Sequence, residues 1–128
     1  MNRIVLDASA ILAVINNEPG AEKLTPDLLA RAVVSTVNLA EVQTKLVSRG
    51  WTSEQAWEDA TSPVREVVPF DEEQSRMVGD LVIQTRHLGL SLGDRACLAL
   101  GTVIKVPVYT AENTWKKLKV SVRIHVIR

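Results

Sequence analysis

Short runs of β-branched and aliphatic residues alternate with helix-length segments along this chain, and that alternation limits its folds more than any other feature. Arg3-Ile4-Val5-Leu6-Asp7, Val33-Val34-Ser35-Thr36, Val64 to Phe70, Val106 to Thr110 and Val122 to Val126 read as strands. Helical patterns separate them: from Asp7 through Ile15, Ala21 to Ala30, from Asn38 to about Gly50, Ser53 to about Thr61, Asp71 to about His87, and Ser91 through Leu100. A brief helix over Glu112 to Leu118 follows. Strands that alternate with helices pair in parallel, because each helix carries the chain back over the sheet. The expectation is an α/β fold, a three-layer α/β/α sandwich around a central, mainly parallel sheet. The 128 residues are read as a single domain, and with 46% hydrophobic residues a packed core is expected.

Composition excludes several classes. No apolar run approaches the ~18 residues of a membrane span, and no signal-peptide pattern stands at the N-terminus, so a cytoplasmic location without membrane attachment is expected. Cys97 is the only cysteine; it lies among Ala96, Leu98, Ala99 and Leu100 and reads as a buried thiol. Formal net charge is +0, which argues against holding nucleic acid by general positive charge. The distribution is uneven. No acid follows Glu112, while Lys116, Lys117, Lys119, Arg123 and Arg128 do, either as a basic rim or as a solvated helix face and tail.

Four carboxylates, Asp7, Glu41, Asp94 and Glu112, each fall where a strand yields to a helix or a helix opens. Singly, each has a local explanation. Asp7 fits a helix N-cap; Glu41 lies three residues after Asn38 and Asp94 three after Ser91, the spacing of capping boxes; Glu112 suits a helix dipole. Together they share one topological place, the carboxyl edge of a parallel sheet, where α/β folds bind ligands. Asp7 also follows a strand that should be central, where an unpaired charge is costly. Several acids at one point favour a bound Mg²⁺ or Mn²⁺.

The segments Ile4-Val5-Leu6-Asp7-Ala8-Ser9-Ala10, Ser35 to Val42, Leu90 to Ala99 with Gly93-Asp94-Arg95, and Val108-Tyr109-Thr110-Ala111-Glu112 resemble the motifs of PIN domains, in particular the toxins of VapBC-type toxin–antitoxin pairs. The resemblance spans essentially the whole chain. It departs at Glu112, where the family more often has Asp, so that the carboxylate stands one methylene further out. The resemblance implies a metal-dependent endoribonuclease toxin with Asp7, Glu41, Asp94 and Glu112 as catalytic, metal-holding residues. It also implies an RNA substrate, a cognate antitoxin and a homodimer. The rival expectation is a catalytically inactive PIN-like module that binds a protein partner around a vestigial or structural cation site.

Ser9 and Thr110 are candidates to orient a ligand water, or to cap helices. Arg95 is read as either a phosphate contact or an exposed helix residue. His87 and His125 carry weak claims to acid–base chemistry, and Trp51 and Trp57 are read as either core or interface. A phosphotransfer domain is disfavoured because Ala8 and Ser9, not a further acid, follow Asp7.

Overall fold

In a computed structural model, which describes residues 2–128, the first strand is β1 (Ile4–Leu6), and Asp7 turns it into helix α1 (Ala8–Ile15). A 3-10 turn (Ala21–Lys23) and a short helix α2 (Pro26–Leu29) lead to β2 (Ala32–Ser35), α3 (Thr36–Ser48) and α4 (Ser53–Thr61). Edge strand β3 (Glu66–Val68) precedes α5 (Glu72–Asp80), α6 (Val82–Thr85) and α7 (Leu92–Ile104). The chain closes with β4 (Val108–Thr110), a 3-10 turn (Asn113–Lys117) and β5 (Ile124–Val126).

The five strands form one sheet in the order β3-β2-β1-β4-β5, and every pairing is parallel. β1 is the central strand, and Ile4, Val5 and Leu6 are all fully buried. Successive residues feed opposite layers, as the two-residue period of a strand requires. Ile4, Leu6, Ala32 and Val34 pack with α1, α3 and α4, whereas Val5 and Val33 pack beneath α5 and α7. A strand buried on both faces is apolar throughout rather than alternating. The expected three-layer arrangement is therefore present.

Local differences from the expected elements have identifiable causes. The helix expected over Ala21 to Ala30 is split, because Thr25 caps a new helix with Pro26 at its first position. The second strand ends at Ser35, whose Oγ accepts from the Val37 amide, so α3 begins two residues before Asn38. The expected Asn38–Glu41 capping box is thus absent, and Asn38 lies buried inside the helix. The long helix expected to His87 breaks at Leu81, just beyond Gly79 and Asp80, both poor helix formers. β3 keeps only three residues of the expected Val64 to Phe70, as suits an edge strand between Pro63 and Pro69. Among the described residues, no helix is long and apolar enough to cross a membrane.

Candidate active site

Asp7 is the first residue past the central strand, and its amide still donates to the Tyr109 carbonyl of β4 at 3.1 Å. That last rung sets its side chain beside Thr110. The carboxylate accepts from three donors: the Ala10 amide to Oδ1 at 2.8 Å, Thr110 Oγ to Oδ2 at 2.7 Å, and Ser9 Oγ at 2.8 and 3.0 Å to the two oxygens. Asp7 is thus the N-cap of α1 and also the floor of a cavity, with only 3% of its surface exposed. Burial pushes its pKa up to about 7, against the lowering effect of the Thr110, Ala10 and Ser9 hydrogen bonds; the charge of Asp94 adds to the rise. Ser9 and Thr110 therefore serve Asp7 itself, where ligand-water orientation or helix capping was expected. Their oxygens in turn accept from the Ala111 and Glu112 amides, which pins the start of the β4 exit loop.

Glu41 lies in the second turn of α3. Its Oε1 accepts from Asn38 Nδ2 at 2.8 Å, and the same amide group donates to the Gly93 carbonyl at 2.9 Å on α7. The carboxylate lies flat against Gly93: a Cβ there would come within 2.5 Å of Glu41 Cδ. Only glycine at position 93 admits this approach. Asp94, the next residue, does form the expected capping box, with Ser91 Oγ accepting from its amide and its Oδ2 accepting from the Ser91 amide at 2.9 Å. No donor reaches its other oxygen among the described residues. Glu112 stands exposed at the head of the last 3-10 turn, and its side chain makes no hydrogen bond among the described residues.

All four acids line one cavity of about 160 Å³, with Ser9 and Lys45. Capping and convergence, set against each other as explanations of these acids, coexist in Asp7 and Asp94. Among the described residues no three His, Cys, Asp or Glu side chains close on a common point. The donor set is nonetheless all oxygen and anionic, with one member already forced toward neutrality by burial. That chemistry suits Mg²⁺ or Mn²⁺, and an ion that keeps several waters fits acids spaced around a cavity.

Three contributors escaped the sequence reading. From sequence Asn38 reads as a cap, Gly93 only as a member of the motif around Asp94, and Lys45 receives no role. The recoverable signals were the spacings: Asn38 one turn before Glu41, Lys45 one turn after it, and Gly93 adjoining Asp94.

Other residues lie elsewhere. Arg95 is half-buried rather than exposed and does not line the cavity; its Nη1 donates to the Val78 carbonyl at 2.9 Å and ties α7 to α5. His87 is exposed on a turn away from the cavity. His125 stacks on Tyr109 with ring centroids 4.6 Å apart, and burial, with help from Arg123, lowers its pKa. Trp51 packs against the core with Nε1 bonded to Asp59, while Trp57 is 51% exposed. Trp115 is the largest fully buried side chain among the described residues. Cys97 is buried as expected, its thiol pushed well up by burial and then by Asp7, Asp94 and Glu41. Of the late basic residues, Arg128 pairs with Glu18 at 3.3 Å and anchors the terminus, while Lys116, Lys117 and Lys119 are exposed.

A family model described as PIN domain matches residues 4–120. Among solved structures, VapBC2 of Rickettsia felis, bound to a DNA fragment from its promoter, superposes with a TM-score of 0.74 at 19% identity, covering 98% of each chain. VapBC-5 of Mycobacterium tuberculosis, from the VapBC family of toxin–antitoxin systems, gives 0.64 at 22% identity over 100% of this chain and 99% of that one. VapC20 of the same organism, a sarcin-ricin loop cleaving toxin, gives 0.71 at 19% identity over 94% and 98%. At these identities the likeness is one of fold. No curated protein matches the chain.

Proposed function

The chain belongs to the PIN-domain family, and from that premise we propose that it is a metal-dependent endoribonuclease, the toxin of a type II toxin–antitoxin pair. The observation that carries this reading is the convergence of Asp7, Glu41, Asp94 and Glu112, from four separate segments, on one cavity at the carboxyl edge of the sheet. Asp7, Glu41 and Asp94 would hold Mg²⁺ or Mn²⁺, with Glu112 assisting through its longer side chain. Such an ion, when bound, polarises a phosphoryl oxygen and acidifies a coordinated water.

The chain's own groups have distinct tasks. Ser9 and Thr110 keep Asp7 in one orientation, so that its carboxylate is set before any ligand arrives. Asn38 and Gly93 do the same for Glu41. Asp94 uses one oxygen to cap α7 and leaves the other for the cavity. VapC20, of the same fold, is described as a toxin that cleaves the sarcin-ricin loop, which makes an RNA substrate the natural expectation.

A free ribonuclease endangers its own cell, and the VapBC neighbours are complexes of two proteins. The reading therefore includes a cognate antitoxin whose inserted Arg or Lys pairs with the cavity acids. The exposed Trp57 is its candidate anchor. A homodimer and a cytoplasmic location complete the proposal.

The test is inducible expression in a bacterium, wild type against Asp94→Asn, with mapping of RNA ends. Growth arrest with new discrete RNA ends for wild type alone supports the reading. A second reading draws on one observation: Glu112 is exposed and departs from the family's usual Asp. It makes the chain a catalytically inactive protein-binding module. Intact RNA and normal growth at high expression of wild type would select it.

A further inference from the structure

Among the described residues Lys45 is the one cation lining the acidic cavity, and it forms no ion pair there. A Glu followed four residues later by a Lys is the favoured orientation for a helix ion pair. Glu41 and Lys45 have that spacing on α3, yet Lys45 takes part in no ion pair or side-chain hydrogen bond among the described residues. The reason lies with Glu41, whose carboxylate is drawn toward α7 by Asn38 and lies against Gly93, away from its helical neighbour. Lys45 is left exposed at the cavity wall with no carboxylate among the described residues bonded to it.

Four acids repel an approaching phosphodiester, and a bound divalent ion offsets only part of that charge. A lysine on a flexible stem at the wall is suited to meet a phosphate as a point charge. We infer that Lys45 is the substrate-anchoring residue of this site, its ammonium contacting a non-bridging oxygen of an RNA phosphate at or next to the one being cleaved. The inference rests on the ribonuclease reading and adds to it the group that holds the anion.

The experiment compares wild type, Lys45→Met and Lys45→Arg. It follows binding of a fluorescein-labelled single-stranded RNA of mixed sequence across a salt series in Ca²⁺, and cleavage of bulk bacterial RNA in Mn²⁺. Melting temperature with and without Mn²⁺ checks that the fold and the acid cluster survive. Lys45→Met should keep the Mn²⁺-induced stabilisation, lose about tenfold in cleavage, and flatten the slope of log K against log salt by about 0.7, the value for one phosphate contact on a single strand. Lys45→Arg should restore most of both. Wild-type cleavage and an unchanged salt slope in Lys45→Met overturn the inference. Equal losses in both variants at constant slope also overturn it, because they mark a steric role. If wild type neither binds nor cleaves RNA while its Mn²⁺ response is intact, the ribonuclease reading fails first and this inference falls with it.

Discussion

Replacing Asp7 with Asn should make the metal-free protein more stable, although it removes the most deeply buried of the four acids. The carboxyl has a pKa of 3.8 in the free chain and about 7 in the folded one, chiefly because burial penalises its charge. At 1.36 kcal/mol per pKa unit, ionised Asp7 costs the metal-free fold about 4 kcal/mol near pH 8. An asparagine keeps the acceptor for the Ala10 amide and places its NH₂ toward Thr110 Oγ, whose hydrogen must then turn elsewhere. Allowing for that rearrangement, the net gain is about 2 kcal/mol, or ~8 °C in melting temperature for a chain of this length. The sign with pH follows from proton uptake. Between pH 4 and 7 the folded state holds more protons on this group than the unfolded state does, so wild-type stability from this source falls as pH rises through the window. The advantage of Asp7→Asn over wild type should therefore fall by about 2–3 kcal/mol between pH 8 and pH 5, enough to cancel or slightly reverse it. Urea or thermal unfolding of both proteins after exhaustive dialysis against EDTA measures it. A variant no more stable than wild type at pH 8, or a gap that does not change with pH, would refute the reasoning.

Other perturbations test the neighbouring parts. Mn²⁺ should stabilise the wild type by about 2.7 kcal/mol at a hundredfold excess over Kd; an unchanged melting temperature across a millimolar titration at pH 7.5 removes the support for a metal site. Asp94→Asn should abolish RNA cleavage while shifting the melting temperature by only a few degrees, since the amide oxygen can still accept from the Ser91 amide; full cleavage by this variant contradicts the proposed chemistry. Glu112→Gln should be milder, because that side chain is exposed and bonded to none of the described residues; loss as complete as for Asp94→Asn would make it an equal partner. Gly93→Ala forces Glu41 off its seat and should cost about 1–3 kcal/mol and at least tenfold in cleavage; normal cleavage would show that Glu41 needs no such seat.

What the sequence alone determined was whatever depends on neighbours a few residues apart. Apolar runs such as Ile4-Val5-Leu6, turn residues and a cap signal such as Ser91 set strands, helices and the parallel sheet, and they marked Asp7, Glu41, Asp94 and Glu112 as residues at element junctions. What only the tertiary structure decided was which distant groups meet. Thr110 reaches Asp7 across 103 residues because β4, not β3, pairs beside β1. Glu41 rests on Gly93 because α3 packs against α7. Arg95 reaches the Val78 carbonyl, and Trp115 fills the layer beneath α5 and α7, by the same dependence on neighbours far off in sequence. Even the start of α3 went to Ser35 rather than Asn38, because burial of Asn38 between two helices outweighed its local preference for a cap. A local pattern records the preference of a residue for an environment; the strand order and the helix packing choose the partner, and in this site the partner decides which carboxylate is held, which is pushed toward its neutral form, and which cation is left without a carboxylate among the described residues.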